Sequence, residues 1–96
     1  MKDLIECRKE IDEIDEQLMR LFEKRMHVVK DVIAYKKANH MEIFQSAREK
    51  DVIEKNVSRI HDEALKPYAS EFLVHMMNIS KLYQQSILDE ENEKDE

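Results

Sequence analysis

The stretch from Leu4 to Ala38, LIECRKEIDEIDEQLMRLFEKRMHVVKDVIAYKKA, decides the fold of this chain. Its apolar residues recur at helical spacing over roughly ten turns, and no Gly or Pro interrupts them. Steps of three and four residues from Leu4 trace a coiled-coil-like stripe with a single charged member, Arg25. The stripe comprises Leu4, Cys7, Ile11, Ile14, Leu18, Leu21, Arg25, Val28, Val32 and Tyr35. The stretch therefore predicts one long helix.

Three cations lie on or beside the apolar stripes of this helix. Arg25 interrupts the first stripe, and Arg8 and Lys36 belong to a second, adjacent stripe that also contains Met19, Phe22 and Ile33. A buried charge without a partner costs several kcal/mol. We therefore expect something anionic to meet these side chains.

The length of the helix predicts a second copy of the chain. A helix of about 35 residues is roughly 50 Å long, whereas a compact monomer of 96 residues has a radius of gyration of about 12 Å. The helix would extend beyond such a monomer at both ends, so its apolar stripe needs another partner. We expect a homodimer.

Composition limits the classes of fold and function. The chain has no Gly, one Pro and 40% charged residues, which favours an all-α fold and excludes glycine-rich phosphate-binding loops. The net charge is −6 and lies mostly in residues 89–96, so nothing in the charge pattern suggests a nucleic-acid-binding surface.

No stretch is apolar enough for a signal peptide or a membrane span. The four scattered histidines form no metal motif. We expect a cytoplasmic protein without a metal site.

Boundary signals divide the rest of the chain into two further helices. Asn39 is a plausible C-cap of the first helix. Ser46 and Glu49 match a capping box, which predicts a second helix from Ser46 to about Ala64. The Lys66-Pro67 pair marks the start of a third helix that ends near Leu88. The predicted domain is 1–88, and the acidic run 89–96 is predicted to be a disordered tail.

Polar residues on the predicted helices converge on one site. Leu73, Met77, Ser80 and Gln84 are spaced by four, three and four residues, so Ser80 and Gln84 face the same way as the two apolar residues. On the first helix, eleven residues place Arg25 and Lys36 roughly 16 Å apart, within joint reach of one small ligand. Arg8 lies roughly 26 Å from Arg25. It joins such a site only if a second chain supplies it.

The chain resembles the all-α chorismate mutases, the AroQ class, and in particular the small monofunctional bacterial enzymes. The resemblance extends from Leu4 to about Leu88. It is carried by Leu4-x-x-x-Arg8-x-x-Ile11-x-x-x-Asp15, by Arg25 and Lys36, by the Arg48-Glu49 pair, and by Ser80-x-x-x-Gln84-Gln85. It implies three helices per chain and an intertwined homodimer in which the long first helix is shared between two active sites.

The resemblance also implies the reaction. The family converts chorismate to prephenate by an intramolecular Claisen rearrangement, which needs no nucleophile, metal, cofactor or proton transfer. The enzyme restricts the flexible dianion and stabilises the negative charge that builds on the ether oxygen. By matching position, Lys36 and Gln84 would donate hydrogen bonds to that oxygen.

Substrate-binding roles follow from the same resemblance. Arg8 of the other protomer and Arg25 would pair with the substrate carboxylates. Glu49 would accept a hydrogen bond from the ring hydroxyl, and Arg48 and Ser80 would contact or orient the carboxylate side. At Gln45 the sequence departs from the family pattern, because the best-known bacterial relative has Asp there. Gln45 is a further candidate for hydroxyl recognition.

The same residues and helices also fit other interpretations. Long cations on a helix are commonly solvated, and Glu49 has a structural role available as the capping-box acid. Isochorismate-pyruvate lyases look similar in fold and in their cationic pocket. A helical dimerisation or partner-binding module would keep the fold without the chemistry.

Overall fold

The computed structural model describes residues 1–94, and all regular secondary structure in that range is helical. Helix α1 spans Leu4–Ala38, α2 spans Ser46–Val57 and α3 spans Lys66–Lys94. A 3₁₀ helix at Glu63–Leu65 leads into α3. The predicted all-α class with three helices and a long first helix is confirmed.

Helix α1 begins and ends where the sequence predicts. The Asp3 carboxylate caps its first turn by accepting a hydrogen bond from the Glu6 N–H at 2.8 Å. Lys36 and Lys37 lie in the last turn, where cations interact favourably with the helix dipole. Asn39 is the C-cap residue, as predicted.

The turn after α1 brings the chain back toward Lys36. His40 has a φ of 55°, in the left-handed region that usually favours glycine. Its N–H donates to the Lys37 carbonyl at 3.4 Å, and the Met41 N–H donates to the Lys36 carbonyl at 2.8 Å. These two bonds form a Schellman motif. The motif reverses the chain directly beyond Lys36, so the following loop lies against that residue.

Helix α2 begins at Ser46 as predicted, but it is shorter than predicted and is capped differently. It ends at Val57 and not near Ala64, and the Ser58 hydroxyl donates to the Lys55 carbonyl at 2.6 Å. Such local side-chain bonds compete with helix continuation. The predicted capping box is wrong as well. Gln45 is the N-cap residue, and the Glu49 carboxylate pairs with Lys81 of α3.

Helix α3 continues past the predicted end near Leu88 to Lys94. Residues 89–94 are therefore helical, which corrects the expectation of a disordered tail over that part. The Gln85 side chain donates to the Asp89 carboxylate one turn later at 2.9 Å, and Glu91 pairs with Lys37 of α1. Both interactions favour a helical conformation for the C-terminal end of α3. The rest of the predicted tail, Asp95 and Glu96, lies outside the described residues.

The small core lies where α3 packs against both α1 and α2. Leu73, Met77, Ser80 and Gln84 are all buried, which confirms that they share one face of α3. Ile33 of α1 is 2% exposed and is the most deeply buried large side chain among the described residues. The core therefore places two polar side chains of α3 opposite the C-terminal half of α1.

The N-terminal half of α1 extends away from this core. The molecule measures 60 × 27 × 15 Å, with a radius of gyration of 17.2 Å, well above that of a compact chain of this length. Residues 8–24 are all exposed in the single chain. The exposed apolar side chains of this segment are Ile11, Ile14, Leu18, Met19, Leu21 and Phe22. The predicted stripe is thus present and uncovered.

Candidate functional site

One pocket of about 290 Å³ lies between the C-terminal half of α1, the start of α2 and the middle of α3. Its apolar wall consists of Val28, Val29, Val32, Ile43, Val52 and Met77. Its polar wall contains seven of the eight predicted site residues: Arg25, Lys36, Gln45, Arg48, Glu49, Ser80 and Gln84. Arg25 and Lys36 therefore line one cavity despite their separation along α1.

Lys36 is held at one end of the pocket by two oxygen acceptors. Its ammonium donates to the Ile43 carbonyl at 2.7 Å and to the Gln84 side-chain oxygen at 3.0 Å. The amide nitrogen of Gln84 donates to the Ser80 carbonyl at 3.2 Å. An ammonium and an amide nitrogen carry three and two N–H donors respectively. Each group thus keeps one further N–H donor beyond these bonds.

Arg25 is held at the other end by Ser80. Its guanidinium donates to the Ser80 hydroxyl at 2.7 Å, and that hydroxyl donates to the Met76 carbonyl at 3.1 Å. The serine thus fixes one edge of the guanidinium. The remaining N–H groups of a guanidinium are suited to bidentate pairing with a carboxylate.

The start of α2 supplies the remaining polar groups. Arg48 pairs with Asp51 at 3.3 Å, and both side chains are exposed. Gln45 donates from its amide nitrogen to the Glu42 carbonyl at 2.7 Å, which leaves its side-chain oxygen as an acceptor. Glu49 is half-buried and pairs with Lys81 at 3.2 Å. The pocket therefore has acceptors as well as donors.

Arg8 does not line this pocket within the described chain. It is exposed on the free half of α1. This is the arrangement expected for a residue that serves the site of another chain, and its role stays a prediction.

Lys81 and two backbone carbonyls were not predicted. Lys81 lines the pocket next to Ser80, and its ammonium lies 4.8 Å from the centre of the Phe44 ring. A lysine on a helix carries no sequence signal that separates it from a solvated residue. The carbonyls of Ile43 and Met76 depend on backbone geometry, so residue types cannot reveal them.

The electrostatics of the pocket favour an anion. Four cationic side chains line it, namely Arg25, Lys36, Arg48 and Lys81, against the single carboxylate of Glu49. Burial lowers the pKa of Arg25, and the nearby Arg48 cation lowers it further. Burial also lowers the pKa of Lys36, although the Glu49 carboxylate opposes this effect. Both shifts mean that burial disfavours positive charge at these two side chains, and a bound anion would offset that effect.

Two features are absent from the part of the chain that the structure describes, namely a metal-binding cluster and a membrane-spanning helix. Within residues 1–94, no group of three or more His, Cys, Asp or Glu side chains is arranged to hold a metal ion. Over the same range, no helix is both long and apolar enough to cross a membrane.

Comparison with known proteins decides the family. A family model described as chorismate mutase type II matches residues 7–85, a range that contains all eight predicted site residues. The chain belongs to the chorismate mutase type II family. The resemblance that the sequence motifs predicted is thereby confirmed.

This member of the chorismate mutase type II family is similar to a curated protein from Aquifex aeolicus (strain VF5). That protein is a bifunctional chorismate mutase/prephenate dehydratase, 35% identical over 77 residues. The matched segment is 79% of this chain and 21% of the relative, so the chain spans about a fifth of that enzyme. No solved structure gives a significant match.

Proposed function

We propose that this chain is a chorismate mutase, an isomerase that converts chorismate to prephenate in aromatic amino acid biosynthesis. The observation that carries the proposal is the Lys36–Gln84 pair, held at 3.0 Å inside a cationic pocket of a family member. The rearrangement breaks the ether C–O bond and forms a C–C bond within one molecule. It requires no protein side chain that forms or breaks a covalent bond, which agrees with a pocket built of hydrogen-bond donors.

Lys36 and Gln84 would stabilise the transition state. As the C–O bond breaks, negative charge builds on the ether oxygen, and donors already fixed in place stabilise it without reorganisation. The Ile43 carbonyl and the Gln84 oxygen hold the ammonium, while the Ser80 carbonyl holds the Gln84 amide. The free donors of both groups would meet at that oxygen.

Arg25 and the α2 residues would bind and orient the substrate. Arg25, which Ser80 holds in place, would pair with one carboxylate of the substrate. Arg48 would leave Asp51 and contact the carboxylate side of the pocket. Glu49 would accept a hydrogen bond from the ring hydroxyl, assisted by the free oxygen of Gln45. Two carboxylates and a hydroxyl thus account for the donors and the acceptors of the pocket.

A second copy of the chain would complete the site. The exposed apolar stripe of α1 supports an intertwined homodimer, because a face of this length is buried in stable proteins. Arg8 of the partner chain would then supply the second guanidinium for the substrate dianion. Each dimer would contain two such sites, neither with a cofactor.

The test is to mix the purified protein with chorismate, follow its loss by absorbance and identify the product by chromatography. We expect prephenate. The same assay with isochorismate separates the lyase, which would release pyruvate and salicylate. Product from isochorismate alone, or no product from either substrate, would overturn the proposal; the latter outcome would favour a non-catalytic helical module.

A further inference from the structure

The pocket contains an ion pair that the proposed mechanism does not use. Lys81 of α3 lies 3.2 Å from a carboxylate oxygen of Glu49 on α2, and the two side chains are 29% and 22% exposed. The same ammonium lies 4.8 Å from the centre of the Phe44 ring, in the loop between α1 and α2. Partial burial strengthens such a pair relative to one in water. Lys81 thus joins the loop, the first turn of α2 and α3 at one edge of the pocket.

Glu49 has another cation within electrostatic reach. Glu49 and Lys36 line the same pocket, and the Glu49 carboxylate acts to raise the pKa of Lys36. Among the described residues that line the pocket, Glu49 is the one carboxylate. Arg48 is directed toward Asp51, so Lys81 is the ion-pair partner that holds Glu49. Without Lys81, the carboxylate would be drawn to the Lys36 ammonium.

Such a movement would affect the proposed chemistry. A carboxylate paired with Lys36 would occupy the N–H that the ether oxygen requires and would neutralise the charge that stabilises it. It would also remove the acceptor for the substrate hydroxyl.

We propose that Lys81 is a positioning residue that holds the Glu49 carboxylate against α3 and so keeps the Lys36 ammonium available to the substrate. The inference rests on the proposed chorismate mutase activity. Lys81 acts through Glu49 and does not itself contact the reacting atoms. Its effect should therefore appear mainly in kcat and should depend on the charge of residue 49.

The test compares Lys81→Met with Lys81→Arg in two backgrounds, the native chain and Glu49→Gln, at equal concentrations of folded protein. Methionine keeps most of the length of the lysine side chain and removes its charge, whereas arginine keeps the charge. Lys55→Met is the matched control, because Lys55 is an exposed lysine of α2 that does not line the pocket. Lys81→Gln replaces Lys81→Met if the latter does not fold. Circular dichroism and thermal melting verify folding of each variant.

In the native background, we expect Lys81→Met to lower kcat about tenfold, since misplaced catalytic groups cost one to two orders of magnitude. KM should change less than kcat, Lys81→Arg should retain most of the rate, and Lys55→Met should match the wild type. In the Glu49→Gln background, the added loss from Lys81→Met should shrink to less than twofold, because no carboxylate remains to be held.

Three results would overturn the inference. The first is an equal loss of kcat from Lys81→Met in the native and Glu49→Gln backgrounds. The second is a rise in the KM of Lys81→Met with kcat unchanged. The third is a Lys81→Arg variant that is as impaired as Lys81→Met. The second result would mean that Lys81 only attracts the anion. Failure of the proposed function has a different signature, since the wild-type protein itself would then convert no chorismate.

Discussion

Lys36 has a structural role in the pocket and a central role in the proposed chemistry. The sequence places it on a stripe of α1 that should be buried, and the structure holds its ammonium between the Ile43 carbonyl and Gln84. Its charge is disfavoured by burial, and the Glu49 carboxylate offsets that effect only in part. A dianionic substrate would supply the missing counter-charge. The electrostatics around Lys36 therefore favour an anionic ligand.

The lowered pKa of Lys36 predicts that activity is lost at alkaline pH. Because burial lowers the pKa of Lys36, the ammonium loses its proton at a lower pH than an exposed lysine does. We expect kcat/KM to fall as the pH rises through that pKa, whereas kcat should hold to higher pH because the bound dianion favours the ammonium. Steady-state kinetics across pH 6–11 measure both.

Lys36→Arg is the control for this assignment, because a guanidinium stays protonated over the same range. Its residual activity should lack the alkaline fall. A wild-type kcat/KM that stays level up to the ordinary lysine range, or an arginine variant with the same fall, would contradict the role of the Lys36 ammonium.

At the scale of elements, sequence periodicity and caps predict α1 well and the other helices less well. α1 has an apolar period over its whole length, an Asp3 cap and no breaker, so local signals agree. The end of α2 depends on hydrogen bonds around Ser58, which compete with a continuing apolar pattern. The end of α3 depends on Glu91 reaching Lys37 of another helix. Contacts between distant residues cannot be read from local patterns.

The distinction between local sequence patterns and contacts of distant residues also applies to the candidate site. The burial of Ser80 and Gln84 follows from their spacing with Leu73 and Met77, because one helical face must point one way. The partner of Glu49 could not be predicted, since its capping-box pattern favoured a local role and Lys81 is distant in sequence. Residue type and period therefore predict which face is buried, and tertiary packing decides which charges meet.

The packing of α1 against α3 predicts a stability effect. Ile33 is 2% exposed and lines a small cavity with Ile87 and Leu88 of α3. Ile33→Ala should lower the free energy of unfolding by about 2–5 kcal/mol, because it removes buried methylene groups and leaves a cavity. Urea denaturation followed by circular dichroism measures this. Leu82→Ala, at a side chain 71% exposed, is the control, and it should change stability by less than about 0.5 kcal/mol. Equal effects of the two variants would contradict the described core.

At the scale of the whole molecule, the uncovered half of α1 is the dominant feature. Residues 8–24 lie outside the core, and their apolar side chains form a stripe along the helix. The predicted homodimer would cover this stripe and bring Arg8 to the pocket of the other chain. Fold and activity would then depend on the same interface.

A charged substitution in the stripe tests that dependence. Ile14→Lys should convert a dimer of twice the 11.6 kDa chain mass into single chains and abolish turnover, because burying an unpaired charge at the interface is costly. Glu23→Lys, which introduces the same side chain at an α1 position outside the stripe, is the control and should leave a dimer. Sedimentation velocity and the chorismate assay measure both. A monomeric wild-type protein, or an active dimer of Ile14→Lys, would contradict the shared site.

The most direct test of the central claim is the turnover of chorismate by Lys36→Ala beside the wild-type protein. Removal of one fixed donor to a developing oxyanion costs about 100- to 1,000-fold in kcat. We predict a loss of that size, with helicity and sedimentation unchanged. A Lys36→Ala variant that forms prephenate at the wild-type rate would contradict the claim that this pocket is the chorismate mutase site.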